Sequence, residues 1–221
     1  MLQGIQWVLF DAVGTLIFPD PPVAEAYRMA GQRFGSQLQA VEIQHRFEAA
    51  LRTNQTGGDS TSEDNERERW RKIVREVLYD VEEHEVDLFE CLWQHFAEPR
   101  RWRTFDDVDA LAELCKRGYR VGIASNFDSR LDGILCAHPL LAACETVFVS
   151  SSVGYAKPDG RFFRAVEKRL AVEPTQIALV GDDEVNDVQG ALAAGWKAIR
   201  LNREGSLHAP GTIRSLRDLI R

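Results

Sequence analysis

From residue 102 onward, short apolar segments alternate with segments whose apolar residues recur at helical spacing. Because strand–helix–strand units join through right-handed crossovers, this alternation predicts a parallel sheet covered by helices. The apolar segments of strand length are residues 119–124, 146–150, 176–180 and 197–201. The predicted helices lie near residues 107–117, from 129 onward, at 160–170, before 194, and at 212–220.

The first strand of this sheet is predicted near the start of the chain, where residues 5–10 form an apolar run that ends at Asp11. Such a continuous run is typical of a strand buried on both faces. Between residues 23 and 96, apolar residues instead follow the i, i+3, i+4, i+7 spacing of amphipathic helices. We therefore predict an α/β fold with a Rossmann-like core domain of residues 1–17 and 103–221, interrupted by a four-helix domain of residues 18–102.

The chain has 221 residues and a formal net charge of −7. A nucleic-acid partner would favour a basic face, so none is expected, although an acidic protein can still bind an anionic substrate at a locally positive site. No segment approaches the roughly 18 apolar residues of a membrane span, and residues 1–16 lack the pattern of a signal peptide. We expect a soluble, cytoplasmic protein without a membrane partner, and the oligomeric state is left open.

Polar side chains follow the predicted carboxyl ends of four strands, which is where open α/β sheets bind ligands. Each group alone is typical of a turn, a helix cap or a solvated charge, but the parallel topology brings all four to one edge of the sheet. The groups are Asp11 with Gly14 and Thr15, Ser125 with Asn126, Lys157 with Pro158, and Asp182 with Asp183 and Asp187.

The chemistry of these groups fits a phosphate-processing site. Asp11, Asp182 and Asp187 would form a cluster of carboxylates that repel one another, and Mg²⁺ prefers such oxygen ligands. The Lys157 ammonium and the Ser125 hydroxyl suit the oxygens of a phosphate group. A carboxylate nucleophile that forms an aspartyl phosphate is an established form of covalent catalysis.

The chain contains, in this order, the segments DAVGTL, IASNFDSRL, KPDGRFF and VGDDEVNDVQGALAAG. Together they resemble the four motifs of the haloacid dehalogenase-like (HAD) hydrolases, and the helical insertion resembles the cap of that family. The resemblance implies a HAD-like core, Mg²⁺ as cofactor, and hydrolysis of a small phosphorylated molecule through an aspartyl phosphate. The residues implied are Asp11, Ser125 and Lys157 for catalysis, Gly14, Thr15, Ser125, Asn126 and Lys157 for substrate binding, and Asp11, the Val13 carbonyl, Asp182 and Asp187 for metal binding.

One position departs from the phosphatase pattern of the family. Phosphatases usually carry a second Asp two residues after the nucleophile, where it acts as general acid and base, but this chain has Val13. The loss of a general acid–base group costs roughly 10²–10⁴-fold in rate. The segment SNFDSRL is similar to a subgroup of the family that also lacks this Asp.

Three hypotheses follow from Val13. The chain is a slow or specialised phosphatase whose substrate has a good leaving group or whose cap supplies an acid; it is a dehalogenase-type hydrolase; or it binds a ligand or partner without turnover. Dehalogenases of the family typically have Tyr at position 13 and lack the Gly-Asp of residues 181–182, so the acidic fourth motif favours the phosphatase. The cap candidates for the acid are His45, His84, His95 and Lys72.

Overall fold

The computed structural model describes residues 1–54, 60–205 and 211–221. The strands are β1 (Trp7–Phe10), β2 (Ile17–Pro19), β3 (Trp102–Thr104), β4 (Arg120–Ser125), β5 (Thr146–Val149), β6 (Ile177–Gly181), β7 (Lys197–Leu201) and β8 (Thr212–Ile213). The α-helices are α1 (Val23–Arg33), α2 (Ala40–Thr53), α3 (Glu63–Val77), α4 (Glu85–Ala97), α5 (Ala110–Lys116), α6 (Arg130–Cys136), α7 (Ser150–Val153), α8 (Gly160–Leu170) and α9 (Gly190–Ala193). A π-helix, Glu184–Gln189, precedes α9, and the short 3₁₀ helices are Tyr79–His84, Pro99–Arg101, Pro139–Ala143, Pro174–Gln176 and Leu216–Ile220.

Six of the strands form one sheet in the order β5-β4-β1-β6-β7-β8, and every neighbouring pair is parallel. The predicted parallel α/β fold is therefore confirmed. All four residues of β1 are buried, because apolar clusters cover both faces of the sheet. In register, Phe10 lies opposite Ile123 of β4 and Val180 of β6, so the carboxyl ends of the three central strands meet at Asp11.

Helices α1 to α4 pack around an apolar cluster of their own, which includes Tyr27, Ile73 and Phe89. The chain enters and leaves this helical unit through an antiparallel pair of three-residue strands, β2 and β3, in which Phe18 lies opposite Arg103. The sequence pattern missed this pair, because strands of three residues carry no readable alternation. The predicted domain boundaries, after residues 17 and 102, fall within it.

The helical unit also contacts the sheet layer through the start of α3. The Glu63 carboxylate accepts hydrogen bonds from the Ser129 amide at 3.0 Å, the Ser129 hydroxyl at 2.8 Å and the Ser151 hydroxyl at 2.5 Å. The Thr61 amide donates to the Gly154 carbonyl at 2.9 Å. These contacts attach the unit to the sheet layer in addition to the β2–β3 pair.

The prediction of a short terminal helix near 212–220 is wrong for its first half. Thr212–Ile213 instead extends the sheet as β8, with Arg200 donating to the Gly211 carbonyl and Asn202 donating to the Ile213 carbonyl, both at 2.9 Å. Only Leu216–Ile220 is helical, and it is a 3₁₀ helix. Pairing with the edge of β7 buries Ile213. It also gives hydrogen-bond partners to the Arg200 and Asn202 amides, which would otherwise face water at the edge of the sheet. Within the described residues, no helix is both long and apolar enough to span a membrane.

Candidate active site

Asp11 follows β1 directly, and its amide donates to the Val180 carbonyl at 2.9 Å. The chain then makes a tight turn, in which the Leu16 and Ile17 amides donate to the Ala12 carbonyl at 2.8 and 2.9 Å. Gly14 has φ +87°, and a Cβ at this position would lie 2.5 Å from Asp182 Oδ2. Both the backbone conformation and the close contact therefore require glycine.

Lys157 is the buried cation of the site, with 2% of the residue exposed. Its Nζ donates to Asp11 Oδ1 at 2.8 Å, to the Ala124 carbonyl at 2.7 Å and to Asp187 Oδ1 at 2.5 Å. Burial alone would lower the pKa of Lys157, but the charges and hydrogen bonds of Asp11 and Asp187 outweigh it and raise the pKa above its usual value. Lys157 is therefore a permanent ammonium in this structure.

The three predicted carboxylate ligands do come together: Asp11, Asp182 and Asp187 each offer one oxygen, and these lie within 4.8 Å of one another. Burial, followed by the Asp11 charge, raises the pKa of Asp182, whose carboxyl group is surrounded by protein although the residue is exposed to the cleft. Burial likewise raises the pKa of Asp187, and the Lys157 ammonium opposes that rise. These oxygens fit Mg²⁺, since a divalent cation would relieve the mutual repulsion of the three carboxylates.

The other predicted residues support this cluster from its edges. The Asn126 side chain bonds both main-chain groups of Lys157, accepting from its amide and donating to its carbonyl at 2.8 Å each. The Thr15 hydroxyl donates to Asp182 Oδ1 at 2.9 Å. Among the described residues, nothing hydrogen-bonds to the Val13 carbonyl oxygen, so that oxygen is available for a metal. Ser125 lines the cleft at the end of β4.

Gly181 and the π-helix position Asp187. Asp183 Oδ1 accepts from the amides of Val185 and Asn186 at 2.8 Å, so Asp183 caps the π-helix. The Asp187 carboxylate folds back onto the end of β6, where Asp187 Oδ2 accepts from the Asp183 amide at 3.1 Å. A Cβ on Gly181 would lie 2.1 Å from that oxygen. This position therefore admits only glycine while Asp187 is in place.

Gly181→Ala is expected to destabilise the protein by about 1–3 kcal/mol, because the added methyl group displaces Asp187 from Lys157. Gly133→Ala is the matched control: Gly133 lies within α6, and a Cβ there meets nothing within 4 Å. The control should gain about 0.5–1 kcal/mol, since alanine favours the helix. Urea denaturation of the three proteins measures both changes, and equal stability of Gly181→Ala and wild type would contradict this packing.

A cleft of about 620 Å³ opens above the carboxylates, between the sheet edge and the helical unit. The sheet edge contributes Asp11, Lys157 and Asp182, and the helical unit contributes most of the aromatic lining. The aromatic lining residues are Tyr27, Phe47, Trp70, Phe96, Trp102 and Phe127, and the arginines are Arg69 and Arg130. The sequence reasoning missed these residues, because an amphipathic stripe does not show which part of a helix meets another domain.

Arg130 could have been found from the sequence, because it shares the segment SNFDSRL with Asp128. Its Nε and Nη2 donate to the two oxygens of Asp128 at 2.7 Å each, and Asp128 is buried. Its guanidinium carbon lies 3.4 Å from the centre of the Trp93 ring in α4. This buried ion pair joins the sheet layer to the helical unit at the edge of the cleft.

A second missed residue, Arg203, anchors the turn after Asp11. Its Nη2 donates to the Thr15 carbonyl at 2.9 Å, and its Nη1 and Nη2 donate to Asp107 at 2.8 and 3.0 Å. Burial would raise the pKa of Asp107, but hydrogen bonds from Arg203, Leu216 and Ser215 bring it below its usual value. The segment with the candidate nucleophile is thereby tied to the C-terminal part of the chain.

None of the four candidate cap acids lines the cleft in the described structure. His45, His84 and Lys72 are exposed to solvent. His95 lines a separate cavity of about 420 Å³ between α1 and α4. Of the described helical unit, the titratable side chains that line the cleft are Tyr27 and Arg69.

Known proteins that are similar to this chain in sequence or fold include hydrolases and a phosphatase. A family model described as haloacid dehalogenase-like hydrolase matches residues 5–195. Haloacid dehalogenase-like hydrolase domain-containing protein 3 of Danio rerio is 28% identical over 213 residues, which cover 92% of this chain and 88% of that protein. Phosphoserine phosphatase of Thermus thermophilus is 31% identical over 138 residues, or 60% of this chain and 54% of the enzyme. The structure of a HAD-type hydrolase, YfnB of Bacillus subtilis bound to magnesium, has a TM-score of 0.78 at 20% identity and covers 97% of this chain and 96% of that chain.

Proposed function

Because the chain belongs to the haloacid dehalogenase-like hydrolases, we propose that it is a Mg²⁺-dependent phosphatase that acts on a small phosphorylated molecule through Asp11. The observation that carries the proposal is the convergence of Asp11, Asp182 and Asp187 within 4.8 Å. Such a cluster suits a hard cation and a phosphate, whereas hydrolysis of a carbon–halogen bond needs no metal. The phosphatases among the relatives support the same reaction class.

In the proposed reaction, Asp11 Oδ2 attacks phosphorus while Asp11 Oδ1 stays bonded to the Lys157 ammonium at 2.8 Å. The phosphorus–oxygen bond to the leaving group breaks, and the leaving oxygen takes the electron pair. Water then attacks the phosphorus of the aspartyl phosphate and releases inorganic phosphate and Asp11. Bound Mg²⁺, held by Asp11, Asp182 and the Val13 carbonyl, would supply positive charge against the phosphate oxygens.

Val13 restricts which leaving groups this site can expel. An apolar side chain donates no proton, and the carboxylate of Asp183 already caps the π-helix. The leaving oxygen must therefore depart without protonation, so its conjugate acid needs a low pKa. Phosphates on aryl, enol or acyl oxygens meet this requirement, and phosphates on simple alkyl oxygens do not.

A series of aryl phosphates tests the proposal. With Mg²⁺, kcat/KM should rise steeply as the pKa of the leaving phenol falls. A general acid on the protein would protonate the leaving oxygen and weaken this dependence, and the proposed site has none. Chelation of the metal should abolish turnover, and an alkyl phosphate should be hydrolysed at least roughly 10²-fold more slowly than an activated aryl phosphate.

Other results would select the other hypotheses. Equal and negligible rates on every ester, with and without Mg²⁺, would contradict the phosphatase and favour a binding role. Release of chloride from 2-chloropropionate without metal would select the dehalogenase, whose nucleophile needs no general acid because halide leaves unprotonated.

A further inference from the structure

Tyr27 is a buried side chain whose polar end is unused. It is 1% exposed and lines the cleft, yet its hydroxyl has no hydrogen-bond partner in the part of the chain that the structure describes. The oxygen itself reaches the surface of the cleft, so the hydroxyl is open to water or to a ligand there. A ligand in the cleft would give this hydroxyl a partner.

Two guanidinium groups lie close to Tyr27. Burial raises the pKa of Tyr27, and the positive charges of Arg130 and Arg69 act in the opposite direction. All three side chains line the same cleft. The hydroxyl therefore shares the cleft with two guanidinium groups, whose N–H groups suit an anionic ligand.

Arg69 is held in position but keeps unused donors. Its Nε donates to the Asn54 carbonyl at 2.6 Å, and its Nη1 donates to Glu66 Oε2 at 3.1 Å. Glu66 is buried, whereas Arg69 lines the cleft. Its Nη2 donates to no described residue. The guanidinium is thus oriented by a buried carboxylate, and a planar fork of this kind suits a second carboxylate.

Arg130 differs from Arg69, because each of its three nitrogens already has a partner. Two bond to Asp128, and Nη1 donates to the Trp93 carbonyl at 3.3 Å. Arg130 keeps only the second N–H of each Nη nitrogen, whereas Arg69 has a whole nitrogen, Nη2, without a partner among the described residues.

The wall beside these groups is apolar and aromatic. The rings of Tyr27 and Phe47 have their centres 5.4 Å apart, and Phe47 stacks on Trp70 at 6.4 Å. Tyr27 also contacts Phe96, with ring centres 6.1 Å apart. A planar hydrocarbon body would be buried against such rings.

We propose that the cleft selects a phosphate ester whose leaving group has an aromatic or similarly flat body and carries a carboxylate, which Arg69 and the Tyr27 hydroxyl bind. This inference rests on the proposed phosphatase function, because it assumes that the phosphate occupies the Asp11 end. It agrees with the requirement for a leaving group whose conjugate acid has a low pKa. The oxygen of an aryl or enol phosphate meets that requirement and is attached to a body that the aromatic lining would bury.

The test compares para-carboxyphenyl phosphate with para-carbamoylphenyl phosphate, which has the same shape without the charge. The wild type should prefer the carboxylate by at least about tenfold in kcat/KM, although the carbamoyl ester has the more acidic phenol. Arg69→Gln and Tyr27→Phe should each lose most of that preference, because kcat/KM falls much more on the carboxylate ester than on the carbamoyl ester. Tyr27→Phe should fold about as stably as the wild type, because no described residue forms a hydrogen bond with the hydroxyl.

Arg71→Gln is the matched control, because Arg71 lies on α3 and pairs with a glutamate three residues earlier, as Arg69 does, but does not line the cleft. It should keep the full preference. Two results would overturn the inference and leave the phosphatase proposal intact. One is an equal fall in kcat/KM on both esters in Arg69→Gln, and the other is equal kcat/KM of the wild type on the two esters.

Failure of the phosphatase proposal is recognised separately. If neither ester turns over, binding of para-carboxyphenylphosphonate and its carbamoyl analogue is measured by calorimetry with Mg²⁺ present. The subsite would still be supported if the wild type binds the carboxyphenylphosphonate more tightly than the carbamoyl analogue and if Arg69→Gln and Tyr27→Phe each lose that difference in affinity. Equal affinity of the two phosphonates would overturn it.

Discussion

Asp11→Asn is expected to lower kcat on aryl phosphates by about 10⁴-fold or more, because an amide neither attacks phosphorus nor forms an aspartyl phosphate. Asp11 Oδ1 is held by Lys157 at 2.8 Å, and an asparagine oxygen can keep that hydrogen bond. The variant should therefore fold normally and fail only in chemistry. Steady-state kinetics with saturating Mg²⁺, together with circular dichroism, measure both properties.

Two controls make this result specific. Asp11→Ala excludes activity regained by deamidation of the introduced asparagine. Asp132→Asn removes an exposed carboxylate from the first turn of α6 and should leave kcat unchanged. If Asp11→Asn retained a kcat within about tenfold of the wild type, Asp11 could not be the nucleophile.

Lys157→Met is expected to reduce the stability of the metal-free protein by about 3–5 kcal/mol, because it leaves the buried Asp187 and its neighbour Asp11 without their cation. For a domain of this size the melting temperature should fall by roughly 10 °C. The same change should lower kcat/KM by about 10²–10³-fold, since the positive charge beside the nucleophile is lost. Mg²⁺ should restore part of the stability, because it would bind the same carboxylates.

Thermal unfolding with and without Mg²⁺ checks these expectations. Lys72→Met removes an exposed lysine from α3 and should change the melting temperature by little, with or without the metal. Equal melting temperatures of Lys157→Met and the wild type without metal would contradict the ion-pair account of the site.

The sheet could be predicted from the sequence because a strand buried on both faces leaves an unmistakable apolar run. The predicted boundaries at 160–170 and 197–201 are those of α8 and β7, and the predicted strands 119–124, 146–150 and 176–180 differ from β4, β5 and β6 by at most one residue at either end. The clusters at Asp11, Lys157 and Asp182 were predictable for a related reason. Parallel topology brings strand ends together, so their distance along the chain does not matter.

The features that escaped prediction depend on contacts between elements. β8 exists because Ile213 pairs with Leu201 at the edge of β7, and nothing within residues 212–220 records that partner. Arg203 and Thr15 meet across 188 positions. Tyr27 and Arg69 lie on helices whose apolar stripes are readable, but the orientation of the helical unit over the sheet decides what faces the cleft.

The account depends on a phosphoryl group that passes through Asp11. Hydrolysis in oxygen-18 water of an aryl phosphorothioate that is made chiral at phosphorus with oxygen-17 tests this directly, through the configuration of the released thiophosphate. Two in-line displacements, first by Asp11 and then by water, predict retention of configuration at phosphorus. Inversion, as direct attack of water on the substrate would give, would contradict the account.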